Sequence, residues 1–145
     1  YSPDPTFVAV DLKYGPDGAV YFTDWSDRQH CHNPNTERWE RGNGRVYRMA
    51  YAADFKPVQV DLAKLADAKL VELQTYRNAW HSRTARRLLQ ERALTGKATA
   101  ATRTALLKLA RLAVDPRHRL NALWSLHAVI GLYDITTRYF LTDTD

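Results

Sequence analysis

Cysteine is almost missing from this sequence of 145 residues: Cys31 stands alone, which excludes an internal disulfide framework and any zinc site built of cysteines only. Long apolar runs are missing too. The nearest approach, Leu120 to Leu132, is interrupted by Asn121, Ser125, His127 and Gly131 and falls short of the roughly 18 residues a membrane span needs, so none is expected. The opening Tyr1-Ser2-Pro3-Asp4-Pro5 has no initiator methionine, no basic stretch and no cleavage signal. It reads as a piece of a longer chain.

Acidic residues are scarce in one region only. Residues 1–60 hold 7 Lys/Arg against 8 Asp/Glu, whereas residues 61–145 hold 14 against 8, so the net charge of +5 comes entirely from the second part. Glycine divides with it, four of the six lying in the first 44 residues. With 45% hydrophobic and 26% charged residues the chain as a whole is not of disordered composition. Two architectures are expected, 1–56 and 57–145, in an α+β chain.

In the first part, Phe7–Lys13 and Ala19–Trp25 are rich in β-branched and aromatic residues, and Gly15-Pro16-Asp17-Gly18 separates them with turn chemistry, which predicts a hairpin. A third strand, Arg45–Tyr51, follows Gly42-Asn43-Gly44 after a long polar loop, Ser26–Gly44. Three strands do not bury two faces by themselves. The expectation is a partial antiparallel blade of a β-propeller, whose blades pack face to face.

The second part predicts helices. Asp61 and Asp67 are candidate caps for short turns, and Asn78 for a helix to about Ala93 with Trp80, Thr84 or Ala85, Leu88 and Leu89 inward and Arg83, Arg86, Arg87, Gln90 and Glu91 outward. A third helix, about Ala98–Val114, has Leu106, Leu107, Ala110 and Ala113 on one stripe; a fourth, Pro116–Ile130, offers Leu120, Leu123, Trp124, His127 and Val129 or Ile130; a fifth starts near Ile135. Trp80 and Trp124 are expected in a core that dominates stability. Successive helices of this length suggest a HEAT-like repeat segment, with a plain helical bundle as the alternative.

Gly15-Pro-Asp-Gly-Ala-Val-Tyr-Phe-Thr-Asp-Trp-Ser-Asp27, then Cys31-His32, then Asn43-Gly-Arg-Val-Tyr-Arg48 resemble the closing blade of the membrane-bound dehydrogenase family of planctomycetes and verrucomicrobia. Trp80-His-Ser-Arg-Thr-Ala-Arg-Arg-Leu-Leu-Gln-Glu-Arg92 and Ala122-Leu-Trp-Ser-Leu-His127 resemble the helices that follow it. The resemblance implies a secreted or periplasmic parent protein oxidising a sugar or alcohol with pyrroloquinoline quinone and calcium, a c-type haem on a separate domain, and as partners the rest of the propeller and further helical repeats. Cys31-His32 lacks the first cysteine of a haem attachment motif, since position 28 is Arg, so this piece holds no covalent haem and is expected to be inactive alone.

The candidate metal ligands are Asp27, His30, Cys31 and His32, because imidazole, thiolate and carboxylate suit zinc or copper; the alternative is a polar loop with scattered ligands. Arg45, Arg48 and Asp24 are candidates for binding an anionic quinone or an acidic substrate. Surface ion pairing is the alternative for the arginines, and capture of turn amides for Asp24. A non-catalytic scaffold binding protein partners is a second functional reading. Nucleic acid is a third, through Arg83, Arg86, Arg87, Arg92, Arg103, Lys108, Arg111, Arg117 and Arg119, although aromatics are not interleaved with them for base stacking.

Overall fold

The computed structural model describes residues 3–29, 35–36, 42–53, 55–56, 58–131 and 134–142. It divides into two compact units, Tyr1–Val58 and Gln59–Asp145. The first is a three-stranded antiparallel sheet and the second a set of helices, an α+β chain.

In the sheet, β1 (Ala9–Tyr14), β2 (Val20–Asp24) and β3 (Arg45–Met49) lie in the order β1-β2-β3. The hairpin turn forms where expected. Gly18 takes φ +79°, a conformation glycine adopts without steric cost, and Asp17 ties the turn by accepting from the Ala19 amide and the Tyr21 hydroxyl. The Tyr21 ring so held lies over Gly15, where an added Cβ would meet it at 2.3 Å. β1 is not a regular strand: its register shifts between Val10 and Leu12, and the residue between them, Asp11, has φ +51°. An aspartate tolerates that left-handed conformation better than most side chains, which makes the bulge affordable.

Cross-strand partners share a face. Leu12, Phe22 and Tyr47 lie side by side on one, flanked by Tyr14, Val20 and Met49. Phe7 caps part of it, edge-on to Phe22 at 6.3 Å and Tyr47 at 6.0 Å. The rest is open, with Leu12 64% and Met49 59% exposed. The opposite face carries Lys13, Tyr21, Thr23, Val46 and Arg48.

The second unit opens with a 3-10 turn, Leu62–Lys64, capped by Asp61, and continues through α1 (Asp67–Glu72), a further turn Leu73–Thr75, α2 (Ala79–Leu94), α3 (Ala100–Leu112), α4 (Pro116–Ile130) and α5 (Asp134–Leu141). Asn78, Thr99 and Asp115 cap α2, α3 and α4 through their side-chain oxygens, each supplying a partner to an otherwise unpaired amide. Pro116 opens α4 and Gly131, at φ +76°, closes it. Asp67 is not the cap of α1. That position falls to Ala66, and the Asp67 carboxylate is spent on tertiary contacts.

The core gathers Leu62, Leu70, Val71, Leu73, Ala85, Leu88, Leu89, Leu106, Leu126 and Val129. α4 is turned from its expected phase. Trp124 and Leu120 are 47% and 44% exposed and His127 is exposed, while Ala122, Ser125, Leu126 and Val129 are buried. Small residues at 122 and 125 let α4 approach its neighbours closely, and close packing over the whole contact outweighs burying the largest side chain. Trp80 is half-buried against the core, as expected of an inward residue.

Two polar clusters fasten the helices. Arg92 donates to Asp67 Oδ1 at 2.6 Å and to the carbonyls of Ala63 and Leu65, while Thr102 donates to Asp67 Oδ2 at 2.7 Å. Gln74, wholly buried, donates to the Leu70 and Ser82 carbonyls and accepts from Ser125 Oγ at 2.8 Å. No described helix is long and apolar enough to cross a membrane.

Candidate functional site

Among the residues singled out in the sequence, the sheet unit brings Asp24 and Arg45 together. They are cross-strand partners at the end of β2 and the start of β3. Asp24 is 3% exposed, and its Oδ1 accepts from the amides of Val8 at 3.0 Å and Ser26 at 2.9 Å. Ser26 has φ +49°, so the carboxylate stabilises a sharp departure of the chain from the sheet. Asp24 Oδ2 is buried without a hydrogen-bond donor; Arg45 Nη1, at 3.9 Å, is beyond bonding distance but still an electrostatic neighbour.

Arg45 Nη1 instead donates to the Tyr47 hydroxyl at 2.9 Å and to Asp4 Oδ2 at 3.3 Å. These contacts hold the guanidinium above its ordinary pKa, the Tyr47 hydrogen bond contributing most. Asp4 is held below the usual carboxylate range, first by the Thr6 hydroxyl, then by the Thr6 amide, with Arg45 adding less. Arg45 is exposed and Asp4 partly so, so this pairing orients the residues rather than stabilising the sheet appreciably.

Arg48 does not join them. It occupies the other face of β3 and stacks on Phe55, its guanidinium carbon 4.3 Å from the ring centroid. The two arginines therefore lie on opposite faces of the sheet, as the alternation of side chains along β3 dictates. Asp27 is 1% exposed; its Oδ1 accepts from the Gln29 amide at 3.0 Å and its Oδ2 from the Trp25 indole at 3.3 Å, while its own amide donates to the Thr6 carbonyl. His30, Cys31 and His32 lie outside the described residues. Among the described residues no three ligating side chains gather around one point, and the carboxylates present are engaged by backbone amides.

The helical unit contributes two surfaces, an apolar groove and a cluster in which two of the candidate arginines, Arg83 and Arg86, stand together and Arg86 meets Trp124. Ala68, Val71 and Thr75 face Ala105, Leu109, Leu112 and Ala113 across an open apolar groove of about 430 Å³ between α1 and α3. On α2 and α4, Arg86 donates to Asn121 Oδ1 at 3.2 Å and to Ser125 Oγ at 3.4 Å and lies over the Trp124 ring, 4.9 Å from its centroid. Partial burial lowers the Arg86 pKa, and the neighbouring Arg83 lowers it further. The i, i+3 spacing of the two arginines was visible in the sequence; their meeting with Trp124 depended on the phase of α4.

No protein-family model, no curated protein and no solved structure matches the chain.

Proposed function

We propose that this chain is the structural end of a larger propeller-type oxidoreductase, secreted or periplasmic, that acts on a sugar or alcohol. The sheet serves as a partial blade and the helices as a HEAT-like arm. The observation that carries the structural role is the open apolar face of the sheet, where Leu12, Tyr14 and Met49 are each more than half exposed although they stand beside Phe22 and Tyr47. A three-stranded sheet with such a face needs a packing partner, and a neighbouring blade supplies one of the right geometry.

On this reading catalysis belongs to other parts of the parent. Asp24 and Asp27 act as backbone anchors, so pyrroloquinoline quinone and calcium, with any c-type haem, are held by residues outside this chain. The engagement of both carboxylates by amides also favours the second reading, a non-catalytic scaffold of propeller and helices. Fold alone does not choose between them.

Dye reduction by the full parent chain, supplied with the quinone and calcium, separates the two. Turnover with any member of a sugar and alcohol series supports the oxidoreductase. Failure with every member leaves the scaffold.

The nucleic-acid reading draws less support. Arg92 is bound to Asp67 and to carbonyls, Arg117 to Asp115, Arg87 to Glu91, and Arg119 to the Ala113 and Val114 carbonyls. Those cations serve the fold.

A further inference from the structure

α2, α3 and α4 contain a single carboxylate between them, Glu91, and it pairs with Arg87. Arg83 and Arg86, one turn apart on α2, make no ion pair among the described residues, so two guanidinium groups stand beside each other without a counter-charge. Arg86 is fixed by Asn121 and Ser125 and stacked on Trp124. Arg83 is exposed and free to turn toward a ligand. Trp124 and, one turn earlier on α4, Leu120 are nearly half exposed, and bulky apolar side chains on the solvent side of a helix cost solubility unless something covers them.

We propose that the α2–α4 surface centred on Arg83, Arg86 and Trp124 is a docking site for an acidic peptide segment that carries apolar residues next to its carboxylates. Charge complementarity selects the ligand's sign. Arg86, already orientated by neutral hydrogen-bond partners, presents a guanidinium that keeps its full charge and has lost part of its hydration, which is the state in which a carboxylate gains most from bidentate pairing. Trp124 and Leu120 select the apolar neighbour, and tryptophan and arginine together are the residues that most often concentrate binding energy at interfaces. A phosphodiester chain fits less well. The site as defined offers two guanidinium groups without an ion pair among the described residues, Arg83 and Arg86, whereas backbone tracking relies on several cations spaced along the path, and one face of the Trp124 ring is already covered by Arg86. The inference rests on the helical unit alone and stands whether or not the propeller reading holds.

Fluorescence anisotropy with the full chain tests it, using a labelled peptide that alternates glutamate with leucine, its lysine–leucine counterpart, and a labelled single-stranded oligonucleotide. The acidic peptide should bind, more weakly as salt is raised. Arg83→Ala and Trp124→Ala should each weaken it about tenfold, the scale of a central contact residue, while Arg83→Lys retains part of the affinity. Arg83 is exposed and makes no ion pair among the described residues, so circular dichroism of Arg83→Ala should match the parent and its binding result stands even where Trp124→Ala perturbs α4. No binding of the acidic peptide, equal binding of the basic one, unchanged affinity in Arg83→Ala, or tighter binding of the oligonucleotide would each overturn the proposal.

Discussion

Ser125 Oγ donates to Gln74 Oε1 at 2.8 Å across the interior of the helical unit, and both residues are wholly buried. The same serine lies 2.9 Å from the Asn121 carbonyl, and the Asn121 side chain donates to the Gln74 carbonyl at 3.1 Å. The turn after α1 is thereby tied to the middle of α4 by hydrogen bonds centred on two buried side chains. An oxygen left there without a donor bears its full desolvation cost.

Ser125→Ala is therefore expected to destabilise the helical unit by about 1–3 kcal/mol, since it strips Gln74 Oε1 of its donor. Replacing both partners, Gln74→Leu with Ser125→Ala, should recover part of that loss, because apolar groups then face each other. Urea unfolding followed by helical circular dichroism measures both; equal losses in the single and double variants would refute the pairing.

Burial ranks the apolar side chains differently from their size. Leu89 and Leu126 are sealed, at 0% and 1% exposure, and truncating either to Ala should cost about 2–5 kcal/mol. Trp124→Ala should cost less, about 1 kcal/mol, chiefly the stacking of Arg86. Thermal unfolding of the three variants gives the order directly.

Arg92 joins Asp67 to the Ala63 and Leu65 carbonyls. Arg92→Lys should fail to restore the stability lost in Arg92→Ala, because one ammonium does not reproduce a planar fork directed at three acceptors. Asp67 and Arg92 are mostly buried, so a loss of about 3 kcal/mol is expected. Chemical denaturation of the two variants provides the comparison.

Asp24→Ala should act on the sheet alone. It removes the acceptor for the Val8 and Ser26 amides, whose hydrogen exchange should accelerate, whereas amides of α2 and α4 in the other unit should keep their protection. Retained protection at Val8 and Ser26 would show that other contacts hold that chain exit.

Asp115 caps α4, and its carboxyl is lowered from 3.8 to about 2, first by the hydrogen bond from the Arg117 side chain and then by that from the Arg117 amide. A folded pKa below the unfolded one means that the cap contributes fully above about pH 4 and is lost as pH falls through about 2. The Arg117 amide resonance should follow that titration, with a midpoint near 2. A midpoint at 3.8, the ordinary value, would mean that the pairing does not persist in solution.

The sequence by itself determined the elements, because the signals for them act locally. Gly15-Pro16-Asp17-Gly18 marks its own turn, Asn78 and Asp115 mark the starts of α2 and α4, and Gly131 marks a stop, each through backbone chemistry confined to a few residues. The two-part division was legible for the same reason, since composition shifts where the architecture does. Only the tertiary structure decided which side of each element faces inward. Hydrophobicity placed Trp124 and Leu120 in the core, but α4 turned Ala122 and Ser125 inward, where small volume permits close approach and Ser125 finds Gln74. The opposite facing of Arg45 and Arg48, by contrast, already follows from the alternation of side chains along one strand, and the register with β2 only adds that Arg45 stands beside Asp24. Partners 51 residues apart, as Gln74 and Ser125 are, leave no local trace; their pairing depends on packing between helices, which no window of sequence contains.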